Sequence, residues 1–202
     1  MLKKIIVIAI TSVVVIFVSI YLLNLKNDST EAPVSVEDLL LQKSDKVFLN
    51  LNELNWSNLS KEIHPKKGLT FSFYADLGSP HSNEITFTKN EVENLSSDDE
   101  VYTWGYDFSD KPFDFTVNEY VKNGLFRNHA GKKGNYSKVT YHASSVDSGG
   151  IVNTIPEYYP NAKYVEYYSP SEDVNWQALR FVYEKVEKEW YLFAIVRDVY
   201  SP

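Results

Sequence analysis

Residues 176–200 read WQALRFVYEKVEKEWYLFAIVRDVY, two apolar-rich runs separated by Glu187-Lys188-Glu189. In the first run Leu179, Phe181 and Tyr183 share one side, while Ala178, Arg180 and Val182 share the other. In the second, Tyr191, Phe193 and Ile195 alternate with Trp190, Leu192, Ala194 and Val196. Alternation of β-branched and aromatic residues with a period of two is the mark of paired strands. Both sides of the second run are apolar, so it is expected inside a sheet and covered on both faces. The pattern points to an architecture and to no chemistry.

Shorter runs upstream carry the same signal. Leu69–Tyr74, Val101–Tyr106, Lys138–His142 and Lys163–Tyr168 all read as strands. Ser35-Val36-Glu37-Asp38 has capping-box spacing and opens a short helix through Leu39, Leu40 and Leu41. A second helical segment, around Asn50 to Ile63, is expected to stop at His64-Pro65, since proline disfavours helical geometry in the residue before it. Two segments echo each other: Ile85-Thr86-Phe87-Thr88-Lys89-Asn90-Glu91 and Phe113-Asp114-Phe115-Thr116-Val117-Asn118-Glu119. Each sets a Thr three places before a Glu, so each reads as a short strand running into a capped helix. Asn128–Asn135 and Ser148-Gly149-Gly150 read as loops, and Ile155–Tyr159 as a short helix. Helices first and strands later imply an α+β plan, with short helices packed on one curved antiparallel sheet.

The N-terminal part has a different character. Ile5 to Leu23 is a run of 19 residues without a charge. As a helix it would span about 28 Å, close to a bilayer's hydrocarbon thickness. Lys3 and Lys4 precede it, and Asp28 and Glu31 follow. The expected organisation is a cytoplasmic tip at 1–4, a transmembrane anchor at 5–23, a polar linker at 24–34 and an extracytoplasmic domain at 35–202. A cleaved signal peptide is the competing reading, but the run is long for one and lacks a small-x-small site.

Composition narrows the partners. The 202 residues include no Cys, which excludes disulfides, thiolate metal sites and a lipidated N-terminal cysteine. From Asn27 onward 17 basic residues face 27 acidic ones, a net charge of −10. Such a domain repels phosphate backbones, so nucleic acid is not expected as a partner.

Several residues of this domain resemble an uncharacterised family of exported, membrane-anchored or lipoprotein domains from Bacillus-like bacteria. The likeness begins at Ile63-His64-Pro65-Lys66-Lys67-Gly68 with Phe71-Ser72 and Tyr74. It runs through Trp104-Gly105, Phe115-Thr116, Glu119-Tyr120, Tyr159-Pro160-Asn161-Ala162 and Val165-Glu166-Tyr167 to Trp176, Leu179-Arg180, Trp190-Tyr191-Leu192 and Asp198. The chain departs from that pattern at Phe73, where members often have Pro, and in having no Cys for lipid attachment. The resemblance implies no activity. Its order of helices before a curved sheet is similar to the cone of the NTF2-like and cystatin-like folds, an analogy of fold alone.

Candidate chemistry is sparse. His64 beside Lys66 and Lys67 could hold an anion or act as a base, or simply complement a helix C-terminus. Arg180 lies mid-strand among apolar neighbours, and a buried guanidinium calls for a carboxylate, with Glu166 or Asp198 on adjacent strands as candidates. Tyr74, Tyr102, Trp104, Tyr141 and Tyr167 could form an aromatic wall for a glycan or peptide, or pack as half-buried sheet residues. Asp98-Asp99-Glu100 and the pair Asp107 and Asp110 suggest a cation site but lack calcium-loop spacing, so solvated acidic loops are the favoured reading. Nucleophile-elbow, phosphate-loop, dinucleotide and zinc-protease motifs are all missing, and no cofactor or metal is implied. The favoured expectation is a non-catalytic extracytoplasmic domain that binds an envelope protein, peptide or glycan. The competing one is an envelope hydrolase using His64 and a carboxylate.

Overall fold

The computed structural model describes residues 34–80, 82–107, 109–126, 136–146, 152–170 and 176–200. The described architecture belongs to the unit Val36–Pro202. Two helices come first, α1 (Val36–Asn52) and α2 (Trp56–Glu62). The strands β1 (Leu69–Ser72) and β2 (Ile85–Phe87) follow, then α3 (Lys89–Asn94). A small pair, β3 (Tyr102–Tyr106) and β4 (Pro112–Phe115), leads into a single turn α4 (Val117–Glu119). After β5 (Lys138–Tyr141) and α5 (Ile155–Tyr158) come the long strands β6 (Lys163–Pro170), β7 (Trp176–Val186) and β8 (Glu189–Tyr200).

Six strands form one sheet in the order β2-β1-β8-β7-β6-β5, and β3 and β4 pair separately. The expected antiparallel sheet is corrected here, because β1 runs parallel to β8, with Thr70 opposite Ala194 and Ser72 opposite Val196. Hairpin logic constrains only strands joined by short turns. β1 and β8 meet across more than a hundred residues of chain, where no local signal sets direction. β8 therefore lies between β1 and β7, as its two apolar sides require.

The expected transmembrane helix has no counterpart in the described part of the chain. Among the described residues no helix is long and apolar enough to cross a membrane. The longest, α1, has 17 residues and carries Glu37, Asp38, Lys43, Asp45 and Lys46. It buries only the stripe Leu40, Ser44, Val47, Phe48 and Leu51, the spacing of a helix lying on a sheet. The stretch 5–23 lies outside the described residues.

Local chemistry sets the element ends. Thr88 and Thr116 both cap their helices with reciprocal bonds to Glu91 and Glu119, so the two sequence echoes are two capping boxes. The expected 50–63 helix divides at Leu54, whose φ of 52° breaks the helical path, and α2 restarts under an Asn55 cap. The 64–68 turn closes through Gly68 at φ 72°, where a Cβ would lie 2.1 Å from the Phe87 carbonyl oxygen, so only glycine fits.

A β-bulge decides which side of β8 faces which core. Val182 lies opposite Ala194 but Tyr183 lies opposite Leu192, leaving Phe193 as the extra residue. Leu192 and Ile195 consequently join one core and Phe193 and Ala194 the other, against the simple alternation read from the sequence. The first core packs α1 and α2 on Leu179, Phe181, Tyr183, Leu192 and Ile195. At its centre Phe48 touches Phe126, Tyr167 and Phe181 at centroid distances of 5.1, 5.3 and 6.4 Å. The second core is smaller and sets Ala75, Leu77 and Ile155 over Tyr164, Val182, Phe193, Ala194 and Val196.

Candidate functional site

Arg180 points to the side of β7 away from α1 and α2, in the same row as Ala178 and Val182. Register places Glu166 of β6 directly opposite it and sets Asp198 of β8 opposite Ala178, one step along the same face. Arg180 Nε donates to Glu166 Oε2 at 2.8 Å and Nη1 to Asp198 Oδ2 at 3.2 Å. All three side chains are fully buried. Two groups from the segment after β5 complete the cluster. Ser144 Oγ donates to Glu166 Oε2 at 3.1 Å, and the Ser145 backbone N–H donates to Oε1 at 2.5 Å. One guanidinium faces two carboxylates, and burial holds the Asp198 carboxyl up at about 6 against the pull of Arg180. The sequence reading paired Arg180 with Glu166 or Asp198. The structure brings it to both.

His64 is elsewhere, at the bridge between α2 and β8. Its backbone N–H donates to the Leu192 carbonyl at 2.8 Å. Its ring Nδ1 accepts from the backbone N–H groups of Lys66 and Lys67 at 3.1 and 2.9 Å. The neutral ring must therefore carry its proton on Nε2, which lies 3.7 Å from the Glu184 carboxylate. Burial lowers the pKa of His64, with Glu184 opposing that shift and Lys67 adding to it. Lys67 pairs with Glu184 and lies 5.0 Å over the Phe193 ring. In this arrangement His64 has one nitrogen occupied by two donors and the other protonated, so it has no lone pair to lend as a base. Its work is to close the 64–68 turn.

The aromatic residues do not form one wall. Tyr74 donates to the Tyr106 carbonyl at 3.1 Å and packs on Phe73. Trp104 donates to the Phe115 carbonyl at 2.9 Å and stacks on Tyr120 with centroids 3.8 Å apart. Tyr167 lies under α1 and donates to Asp45 Oδ1 at 2.6 Å. Tyr141 is half-buried on β5, packed at the border of the first core. Tyr74 and Trp104 join one cluster through Phe73 and Tyr120, while Tyr167 and Tyr141 pack elsewhere.

Tyr102 is the exception, and it belongs to a feature the sequence reading missed. An open groove of about 380 Å³ lies beside β2, with Ile85, Thr86 and Phe87 in its lining. Glu91, Asn94, Leu95, Asp98, Glu100 and Tyr102 complete the lining, and the Tyr102 ring meets Phe87 edge-on at 5.5 Å. The Tyr102 hydroxyl donates to Asp98 Oδ2 at 2.9 Å and sits 3.3 Å from Glu100 Oε2. Bonds from the Thr88 backbone and hydroxyl hold the Glu91 carboxyl below its ordinary range, so it is charged at neutral pH. The acidic run 98–100 was visible in the sequence. That it faces a sheet edge depended on strand order.

The class these features define is an α+β domain with a mixed six-stranded sheet, an ionic centre buried on one face and an acidic groove along one edge. No family model matches the chain, no curated protein matches it, and no solved structure matches it. Among the described residues no group of three or more His, Asp or Glu could hold a metal ion.

Proposed function

We propose that this is a non-catalytic, extracytoplasmic binding domain that takes a partner in the groove beside β2. The groove itself carries the reading: its volume lies within the range of ligand sites and it combines apolar walls with a few converging polar groups. The two sites that a hydrolase would have drawn on are committed to structure. His64 closes a turn through Nδ1 with Nε2 turned to Glu184, and Arg180 is buried against its carboxylates. Placement outside the cytoplasm rests on the uncharged stretch 5–23 of the sequence.

The test uses the full chain with a photo-reactive amino acid at Thr86, in the groove, or at exposed Lys185, away from it. Crosslinking in cells from position 86 and not from 185 is the expected result. Equal capture from both positions, or none from 86, would defeat the groove as the binding site. Protease added to intact cells should digest the domain if it lies outside.

A further inference from the structure

We infer that the groove accepts an extended, basic peptide segment, added as a strand along β2. This rests on the binding reading above and names the chemistry of the partner. Ile85, Thr86 and Phe87 are consecutive, and consecutive strand residues point to opposite faces of a sheet. A groove lined by all three must therefore run along the strand's edge, beside its backbone. β2 is the terminal strand of the six, hydrogen-bonded to β1 on one side. Strand edges of this kind present backbone N–H and C=O groups that another extended chain can pair.

The lining sets the sequence preference. Glu91, Asp98 and Glu100 are carboxylates, and none of the lining residues is basic. Partly exposed Ile85 and Tyr102 supply apolar contacts, and buried Phe87 and Leu95 also line the groove. An added strand exposes alternate side chains to each face, so a segment alternating apolar and Lys or Arg residues matches both features. A second copy of this chain would bring the same carboxylates to the contact, and the chain is acidic overall, at −7. Charge complementarity thus selects a basic partner.

The experiment titrates the full chain with an octapeptide alternating valine and lysine. A valine–glutamate octapeptide and a valine–lysine octapeptide N-methylated at alternate amides serve as controls. Saturable binding of the first peptide, with slowed amide exchange concentrated at Ile85–Phe87, is expected. Both controls should bind at least about tenfold more weakly. Glu100→Lys should weaken the valine–lysine peptide about tenfold, and Glu100→Gln less, with unchanged melting temperatures. Equal binding of the N-methylated peptide, or full competition by spermidine, would overturn strand addition in favour of a diffuse cation site. If position 86 crosslinks a partner in cells while the valine–lysine peptide fails to bind, the peptide inference falls and the binding reading stands. If both fail, both fall.

Discussion

The two faces of the β6–β7–β8 sheet are equally dry but differ in how much of their stability rests on paired charges. On the face under α1 and α2, Val165, Leu179, Phe181 and Tyr183 are fully buried among apolar and aromatic neighbours, and buried Arg197 lies 4.4 Å over the Phe73 ring. On the other, Ala178 and Val182 flank Arg180, Glu166 and Asp198, which are just as inaccessible. The first face is stabilised by area removed from water and by close packing, which tolerates any side chain of suitable shape. The second depends on specific partners. Desolvating three charged groups is costly, and the cost is offset only while every partner stays in place. Equal burial therefore says little about how a site responds to change. What matters is whether its groups need named partners.

The largest expected effect breaks the second face. Arg180→Met strands Glu166 and Asp198 without their cation and should cost about 5 kcal/mol, read from denaturant midpoints. Replacing all three residues together, with Glu166→Leu, Arg180→Met and Asp198→Leu, should cost less than the single change, because no charge is then left buried. A triple variant less stable than the single one would show that the centre is net stabilising.

Phe181→Ala tests the first face. Deleting a ring packed against Phe48 and Tyr167 should cost about 4 kcal/mol, a transfer loss plus a cavity. Unlike the Arg180 loss, this one should be nearly independent of pH.

Asp198→Asn separates the faces by titration. The Asp198 carboxyl is raised to about 6 in the folded protein, so the native state keeps a proton that the unfolded chain has released. Its favourable contribution is complete below about pH 4 and is lost as pH rises through about 6. Asn imitates the protonated form and can still accept from Arg180. The substitution should shrink the stability loss between pH 4 and pH 7 by roughly 2 kcal/mol. An unaltered pH profile would place the titration elsewhere.

Gly124→Ala has the smallest effect of the four and lies on the helical side. A Cβ there would meet the Tyr120 ring at 2.5 Å and press it against Trp104, at an expected cost of about 1 to 2 kcal/mol. Near-UV circular dichroism should change with the stack. A silent spectrum would mean that Tyr120 can shift without losing its partner.

Much of this fold was legible wherever the deciding interactions are local. The hairpin 176–200 follows from its alternation, and both capping boxes follow from a Thr three places before a Glu. Arg180 announced its need for a carboxylate by lying among apolar residues in a strand. The bulge at Phe193 was not legible, because Phe is at home on either face and only packing chose between them. His64 looked reactive beside two lysines. It proved to be a turn-closing residue, since the backbone N–H groups of those lysines, and not their charges, reach its ring.

By itself the sequence determined the long strands, both capping boxes and the charge of the domain, because these depend on side-chain type and on neighbours a few residues away. Tertiary structure alone decided that β1 runs parallel to β8, that Glu166 and Asp198 both converge on Arg180, and that β2 ends the sheet beside an acidic wall. Those outcomes join residues far apart in the chain. Pairing direction and strand order there are set by how the whole sheet buries its two faces, and no short stretch of sequence carries that information.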